Sequence, residues 1–168
     1  MRIVLIGFMA SGKSSVAPLL ASALGLEVVE MDALIVAKAG KSIKDIFEAG
    51  GEPAFRKLEA AVAAELQNRD NVVISTGGGV VARSETMKYL TDKGVVVELS
   101  CSFDALMERI RPTLPRPLFK DEAQAKATYA KRQSLYHKYA SVHVNTDGKS
   151  VDEIVEAVFR KIQGIKKS

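Results

Sequence analysis

The chain has 168 residues, is 47% hydrophobic and carries a formal net charge of +4, a size that suits one compact domain and is too short for two. Its single cysteine, Cys101, excludes an intrachain disulfide, so we expect a reducing, cytoplasmic setting. No uncharged apolar run approaches the ~20 residues of a membrane span, and the lysines and arginines are scattered, so we expect anionic small molecules rather than membranes or nucleic acid as partners.

The first predicted elements are an apolar strand, Arg2 to Ile6, and the glycine-rich motif that follows it. Gly7 to Ser14 match the pattern G-x-x-x-x-G-K-[ST] of a phosphate-binding loop, the P-loop. Its backbone N–H groups surround the β- and γ-phosphates, Lys13 reaches them as a point charge, and the Ser14 hydroxyl suits Mg²⁺. A helix predicted over Lys13 to Leu24 points its positive dipole end at the same anion. The alternative, a glycine turn with a surface lysine, is disfavoured by the preceding strand.

Beyond this loop, β-rich runs alternate with helical patterns, an order that predicts crossover units around a parallel sheet. The remaining strands are predicted at Glu27 to Met31, Val72 to Thr76, Gly94 to Ser100 and Ser141 to Thr146. The first, third and fourth strands contain near-continuous runs of Val, Ile and Leu, which indicates strands covered on both faces. The predicted fold class is therefore α/β: a three-layer P-loop fold with a central five-stranded parallel sheet, helices on both faces and a mobile lid, in one domain of residues 1–168.

Three local signals mark helix ends. Gly25 is expected to end the first helix as its C′ residue, and Pro53 to start a helix over Glu52 to Asn68. Ser150-x-x-Glu153 is a capping box for the last helix. The apolar stripes of the two later helices are Phe55, Leu58, Val62 and Leu66, and Ile154, Val158 and Ile162.

The segment Arg109 to Ala125 departs from this alternation, because it contains three prolines and four basic residues. We expect a mobile lid over about residues 109–125 that closes on the nucleotide, excludes water and brings Arg116 to the transferring phosphoryl group. The alternative is a proline-stiffened surface connection.

Two further groups of residues follow the third and second strands. Gly77-Gly78-Gly79 stand where many P-loop hydrolases place an aspartate, and we expect them to leave bare N–H groups and open space for a substrate. The alternative is a flexible turn. Glu30 and Asp32 flank Met31, and strand alternation predicts both carboxylates on one face. Either suits an acceptor hydroxyl or metal-bound waters.

Taken together, these residues resemble the shikimate kinases, small P-loop kinases with a nucleoside-monophosphate-kinase-like fold. The resemblance covers nearly the whole chain. It is carried by Gly7 to Ser14, the acidic pair ending in Asp32, Gly50-Gly51-Glu52-Pro53-Ala54-Phe55-Arg56, Thr76-Gly77-Gly78-Gly79, Arg116-Pro117-Leu118 and Arg132-Gln133-Ser134-Leu135-Tyr136. It implies transfer of the ATP γ-phosphoryl group to the 3-hydroxyl of shikimate, giving shikimate 3-phosphate and ADP in aromatic amino-acid biosynthesis, by a monomer that uses Mg²⁺.

The resemblance also implies the residues of the acceptor site. Asp32 would accept hydrogen bonds from the ring hydroxyls, including the one phosphorylated, and Arg56 and Arg132 would clamp the carboxylate through their planar forks. Gly77, Gly78 and Gly79 would add N–H donors, and a helical segment of about residues 32–60 would bind the substrate. Without its neighbours, Arg56 would be expected to pair with a surface carboxylate.

At the nucleotide, the resemblance implies that Lys13 and Arg116 stabilise charge on the phosphoryl group and act with Asp32 as the catalytic residues. Arg109 would stack on the adenine. Ser14 would ligate Mg²⁺, with Glu30 and Asp32 acting through water. The implied nucleotide contacts are Gly7, Ala10, Ser11, Gly12, Lys13, Ser14, Ser15, Arg109 and Arg116.

Three positions depart from the family pattern. Ala10 replaces a common glycine, Glu30 replaces an aspartate, and the stretch before Ser150, Asp147-Gly148-Lys149, lacks an arginine that some relatives present to the base.

Two other functions stay open. One is a kinase for a different small molecule, such as gluconate or a nucleotide, which Arg56, Arg132 and the glycine edge disfavour because they suit a carboxylated ring. The other is a nucleotide-dependent switch. A lid arginine within the chain and the lack of a metal-organising aspartate disfavour it.

Overall fold

The computed structural model describes residues 1–112 and 121–166 of the chain. Five strands form one sheet: β1 (Arg2–Ile6), β2 (Glu27–Glu30), β3 (Val72–Ser75), β4 (Gly94–Ser100) and β5 (Val142–Asn145). All neighbours are parallel, in the order β2-β3-β1-β4-β5. The predicted strands are confirmed, and no end differs by more than one residue.

The sheet separates two apolar clusters, because successive residues of a strand face opposite sides. Val4 and Ile6 of β1 belong to one cluster, and Ile3 and Leu5 belong to the other. Every residue of β1 and β3 is buried, whereas β2 and β5, at the sheet edges, have exposed positions. The predicted three-layer α/β fold is confirmed.

The helices within the described ranges are α1 (Lys13–Leu24), α2 (Met31–Ala39), α3 (Ile43–Leu66), α4 (Ser84–Thr91), α5 (Phe103–Ile110), α6 (Glu122–Tyr139) and α7 (Val151–Lys166), with a 3₁₀ turn at Val80–Ala82. Gly25 ends α1 as predicted, with φ 66° and its N–H donating to the carbonyl of Ser22. The capping box is also confirmed, since the Ser150 N–H donates to Glu153 Oε2 (2.7 Å) and the Glu153 N–H donates to Ser150 Oγ (3.2 Å). In the described part of the chain, no helix has the length and hydropathy to span a membrane.

Helix α3 is bent at Gly51, whose φ of 68° and ψ of −170° interrupt the helical backbone. The second half therefore starts where Glu52 and Pro53 predict, and it ends at Leu66 rather than Asn68. Phe55, Val62 and Leu66 are buried as predicted, and Leu58 packs at the margin of the core.

Two predictions are wrong in detail. Strand β2 ends at Glu30 and α2 begins at Met31, so Asp32 lies on the first turn of a helix. The direction of its side chain is therefore not set by the alternation of a strand. The segment predicted as a loop is helical at both ends, where Arg109 belongs to α5 and residues 122–125 begin α6. Residues 113–120, including Arg116, lie outside the described residues, and the mobile lid stays a prediction.

Candidate active site

The P-loop connects β1 to α1 through backbone conformations that favour glycine. Gly7 has φ 151°, and a Cβ atom there would lie 2.5 Å from the Leu99 carbonyl oxygen and 2.7 Å from Ser11 Oγ. Gly12 has φ 99°. Ala10 also lies in the left-handed region, at φ 60°, where a side chain costs about 1–2 kcal/mol. The family's usual glycine at this position therefore has a conformational reason.

Lys13 is buried within this loop. Its Nζ donates hydrogen bonds to the carbonyl oxygens of Gly7 (2.7 Å) and Phe8 (2.9 Å). Burial lowers the pKa of Lys13 to about 8, and the negative charges of Asp32 and Glu30 oppose this effect. The N–H groups of Ser15 and Val16 donate to the Gly12 carbonyl, whereas those of Lys13 and Ser14 come before these first helical bonds. Together with the Lys13 ammonium group, the N-terminus of α1 therefore forms a site for an anion.

A cavity of about 380 Å³ opens onto the P-loop and is lined by residues 10–16, Arg109, Lys149, Val151 and Ile154. Arg109 donates from Nη1 to the Ala10 carbonyl (3.1 Å) and from Nη2 to the Thr146 carbonyl (3.2 Å). Lys149, left unassigned by the sequence, is a second cation at this cavity, and its Nζ donates to the Asn145 carbonyl (2.7 Å). The structure thus places the predicted nucleotide residues 10–15 and Arg109 on one cavity, whereas Gly7 does not line it.

Ser14 and Glu30 meet where α1 begins and β2 ends. Ser14 Oγ donates to Glu30 Oε2 across 3.3 Å. A hydroxyl and a carboxylate are oxygen ligands of the kind that Mg²⁺ accepts, so these residues fit the cation that the sequence predicts.

Asp32, on the first turn of α2, turns a carboxylate oxygen toward the glycine edge. A Cβ atom on Gly77 would lie 3.1 Å from Asp32 Oδ1. This oxygen is buried and has no hydrogen-bond partner among the residues that the structure describes. Burial raises the pKa of Asp32, and the positive charges of Lys13 and Arg56 oppose the shift. Among the described residues, the carboxylate therefore keeps an acceptor oxygen without a partner, and two positive charges act on it.

Arg56, in the second half of α3, is held by two carboxylates on its own helix. It donates from Nη1 to Glu59 Oε1 (2.8 Å) and from Nε to Glu52 Oε1 (3.3 Å). Burial raises the pKa of Glu59, whereas the hydrogen bond and charge of Arg56 lower it. The Oε2 atom of Glu59 has no hydrogen-bond partner within the described ranges.

Glu59 is a site residue that the sequence analysis missed. It is 1% exposed and lies on the buried side of α3, between Phe55 and Val62. The signal was present in the sequence, because Glu59 is a charged residue at an apolar stripe position and lies three residues after Arg56.

The three glycines after β3 make room for three different neighbours. A Cβ atom on Gly77 would approach Asp32, one on Gly78 would lie 3.0 Å from the Met9 nitrogen, and one on Gly79 would overlap the Arg56 guanidinium. Protein atoms thus occupy the positions that side chains would take at these three glycines. Close packing, rather than turn flexibility, explains the glycine run.

Helix α6 carries Arg132, the second arginine that the sequence predicts at the substrate carboxylate. Its guanidinium carbon lies 5.8 Å from the centroid of the Phe8 ring. The hydroxyl of Tyr136, one turn later, donates to the Gly78 carbonyl. Burial raises the pKa of Tyr136 to about 12, and the charges of Arg132 and Arg56 both oppose this shift. Arg132 therefore lies beside Phe8 and acts on Tyr136, which is the residue that joins α6 to the glycine edge.

The comparisons with known proteins agree with this geometry. A family model described as shikimate kinase matches residues 9–163. The chain belongs to the shikimate kinase family. A shikimate kinase of Geobacter metallireducens is 39% identical over 166 residues, which cover 97% of this chain and 92% of that protein.

Solved structures show the same relationship. The shikimate kinase from Acinetobacter baumannii in complex with shikimate has a TM-score of 0.91 and 30% identity, covering 99% of this chain and 95% of that chain. A gluconokinase from Sinorhizobium meliloti has a TM-score of 0.68 and 23% identity, over 98% of this chain and 92% of that one, and shares the fold. As a shikimate kinase family member, the chain is a kinase that uses ATP.

Proposed function

We propose that this chain transfers the γ-phosphoryl group of ATP to the 3-hydroxyl of shikimate, giving shikimate 3-phosphate and ADP in aromatic biosynthesis. One observation carries the proposal: a buried oxygen of Asp32, which has no hydrogen-bond partner among the described residues, lies at the glycine edge, and the charges of Lys13 and Arg56 act on this carboxylate. A hydroxyl that donates to this oxygen would lie between the phosphate site and the arginines. Its O–H proton passes to Asp32 as its oxygen forms the new bond to phosphorus, and the bond from phosphorus to the ADP oxygen breaks.

On the acceptor side, we assign Arg56 and Arg132 to the substrate carboxylate. Arg56 already holds a carboxylate through Nη1, with Glu59 Oε1 at 2.8 Å, so its orientation does not depend on substrate. A fork held in this way binds a second carboxylate with little further loss of side-chain freedom. Gly77, Gly78 and Gly79 contribute backbone N–H donors, and residues 32–60 provide most of this side of the site.

On the nucleotide side, the N–H groups of the P-loop hold the phosphates. Lys13 gives up its hydrogen bonds to the loop carbonyls and donates to phosphate oxygens instead. The loop residues assigned are Gly7, Ala10, Ser11, Gly12, Lys13, Ser14 and Ser15. Mg²⁺ would neutralise phosphate charge; Ser14 would ligate it, and Glu30 and Asp32 would hold its waters. Arg109 covers the adenine. Arg116, outside the described residues, is assigned to the transferring phosphoryl group from the sequence.

We further propose that the enzyme works as a monomer in the cytoplasm, on small molecules rather than on nucleic acid or membranes. The scattered positive charge and the absence of a helix that could span a membrane in the described ranges are consistent with this setting.

The competing proposal is a kinase for another acceptor, since the gluconokinase fold is similar. A coupled ADP-release assay with shikimate, gluconate, quinate and nucleoside monophosphates distinguishes them. We expect the highest kcat/KM with shikimate and negligible ATP turnover without an acceptor. Preference for gluconate or a nucleotide would overturn the substrate assignment, and acceptor-independent ATP turnover would indicate a switch.

A matched pair of variants tests the carboxylate clamp. Arg132→Ala removes charge-assisted hydrogen bonds worth about 1.5–3 kcal/mol, so kcat/KM for shikimate should fall roughly 10- to 150-fold. Its exposed neighbour on α6, Lys131→Ala, serves as the control and should retain normal kinetics. Normal kinetics in Arg132→Ala would contradict the clamp.

A further inference from the structure

The only two histidines of the chain lie together, on elements other than the P-loop and the glycine edge. Glu98 on β4 and His143 on β5 are register partners in the sheet, and His137 lies near the C-terminal end of α6. Nδ1 of His143 lies 2.7 Å from Glu98 Oε2, and Nδ1 of His137 lies 3.7 Å from the same oxygen. The two imidazole rings stack with centroids 4.3 Å apart and planes at 26°.

These distances are close to those of a metal site. One ligand atom from each residue can be chosen so that all three lie within 4.8 Å of one another. Ligand atoms around a tetrahedral metal with bonds of about 2.0–2.1 Å are roughly 3.3 Å apart. Small side-chain rotations would therefore bring the three residues into coordination. The largest rotation is needed at His137, which is the farthest from Glu98 and, as the most exposed of the three side chains, has the most room to move.

Burial gives the cluster a reason to bind a cation. Glu98 is only 4% exposed, and its ion-pair partners among the described residues are the two imidazoles. A buried carboxylate is costly unless a positive charge compensates it. A divalent cation held by the three side chains would supply this charge.

We propose that Glu98, His137 and His143 bind a divalent first-row transition metal of the Zn²⁺ class. Two imidazoles and one carboxylate suit Zn²⁺, Ni²⁺ or Cu²⁺, whereas Mg²⁺ prefers oxygen ligands, so this site is chemically distinct from Ser14 and Glu30. Each ring ligates through one nitrogen and keeps its proton on the other. Three protein ligands leave a fourth position for water on the exposed side.

The metal would join α6 to the sheet. Within α6, Tyr136 is the one fully buried residue, and its hydroxyl and that of Tyr129 reach the carbonyls of Gly78 and Cys101. Coordination by His137 would add a strong attachment next to Tyr136. Because Arg132 lies on the same helix, metal binding would also restrict the motion of a proposed substrate residue.

Titration calorimetry of the untagged, chelator-treated protein with Zn²⁺, in excess Mg²⁺, tests the site. We expect one equivalent to bind and the melting temperature to rise. His137→Gln and His143→Gln should each weaken binding by at least about 10-fold. The exposed Glu156→Gln on α7 and the P-loop-side Glu30→Gln should bind Zn²⁺ like the wild type.

The visible spectrum of bound Co²⁺ gives a second measurement. The wild type should show the absorption of a four-coordinate site, and both histidine variants should lose it while retaining the melting temperature of the metal-free wild type within a few degrees. Failure of Zn²⁺ to bind, or binding unchanged in both histidine variants, would show a hydrogen-bonded cluster only and would overturn the proposal. Since none of these measurements uses shikimate or ATP, they are independent of the proposed function.

Discussion

The nucleotide end and the acceptor end of the site are built in different ways. The P-loop is one continuous segment, and the buried Lys13 is satisfied by carbonyls five and six residues away. The acceptor end brings together α2, α3, the glycine edge and α6. Its buried charges, Asp32 and Glu59, each retain an oxygen without a partner in the described ranges. In the P-loop, the buried ammonium group of Lys13 has its hydrogen-bond partners in the loop backbone. At the acceptor end, two carboxylate oxygens without a partner in the described ranges are left for a ligand.

This difference predicts how the two ends respond to change. Substitution of Lys13 should alter few other interactions, because its hydrogen bonds to carbonyls lie within its own loop. Substitutions at the acceptor end should spread, because Arg56, Glu59, Asp32 and Gly79 contact or influence one another.

The largest effect is expected at the nucleotide end from Lys13→Met. Loss of a charge aimed at the phosphoryl group should lower kcat by about 10²–10³. The effect should stay local, so the shikimate concentration for half-maximal rate should change little. Steady-state ADP release measures both, and the exposed Lys126→Met on α6 is the control. A variant that loses mainly shikimate affinity would contradict the separation of the two ends.

At the acceptor end, Arg56→Ala should affect two properties at once. It removes the proposed partner of the substrate carboxylate. It also leaves Glu59 buried without its own partner, which costs about 3 kcal/mol of stability. We expect kcat/KM for shikimate to fall roughly 10- to 150-fold and chemical denaturation to show the lost stability.

A second substitution separates these two effects. Adding Glu59→Gln to Arg56→Ala removes the stranded charge, so stability should recover in part while shikimate affinity stays low. Equal recovery of both properties would mean that Arg56 acts through Glu59 and does not bind substrate directly.

Gly79→Ala should produce a smaller effect confined to the acceptor. The new methyl group would displace the Arg56 guanidinium, and loss of one hydrogen bond of about 1.4 kcal/mol corresponds to a tenfold rise in KM for shikimate. The KM for ATP should not change. Gly164→Ala is the matched control, because a Cβ atom there meets no atom within 4 Å. An unchanged KM for shikimate would show that Arg56 has a second productive position.

The pH dependence of ADP binding tests the buried lysine. In the free protein the pKa of Lys13 is about 8, below its ordinary 10.5, and bound phosphates favour the protonated form. The ADP dissociation constant should therefore rise above about pH 8, by up to about tenfold per pH unit. The stability of the free protein should rise over the same range, because the unfolded state binds more protons there. Calorimetry should show no such pH dependence of ADP binding in Lys13→Met.

The smallest effect is expected from Ala10→Gly. Relief of the left-handed backbone at φ 60° is partly offset by the greater freedom of glycine in the unfolded chain, which leaves a gain of about 0.5 kcal/mol. Chemical denaturation without nucleotide measures it, and ADP affinity should change less than about twofold. A loss of stability would show that the Ala10 methyl group makes compensating contacts.

Local chemistry allowed the sequence to determine the loop between β1 and α1 and most of the secondary structure. The strands follow from apolar runs, the end of α1 from Gly25, the start of α7 from Ser150 and Glu153, and the P-loop from its glycine spacing. Each of these depends on residues within a few positions of one another, where periodicity and capping are sufficient.

The tertiary structure alone decided the acceptor end. Strand alternation predicted Asp32 on the same face as Glu30 at the edge of the second strand, whereas α2 begins at Met31 and Asp32 reaches the site from a helix. The neighbour that each glycine of Gly77 to Gly79 accommodates, and the meeting of Glu98 with both histidines, depend on strand order and helix packing. Such contacts join residues up to dozens of positions apart, and their energy comes from burial and charge pairing that no local pattern encodes.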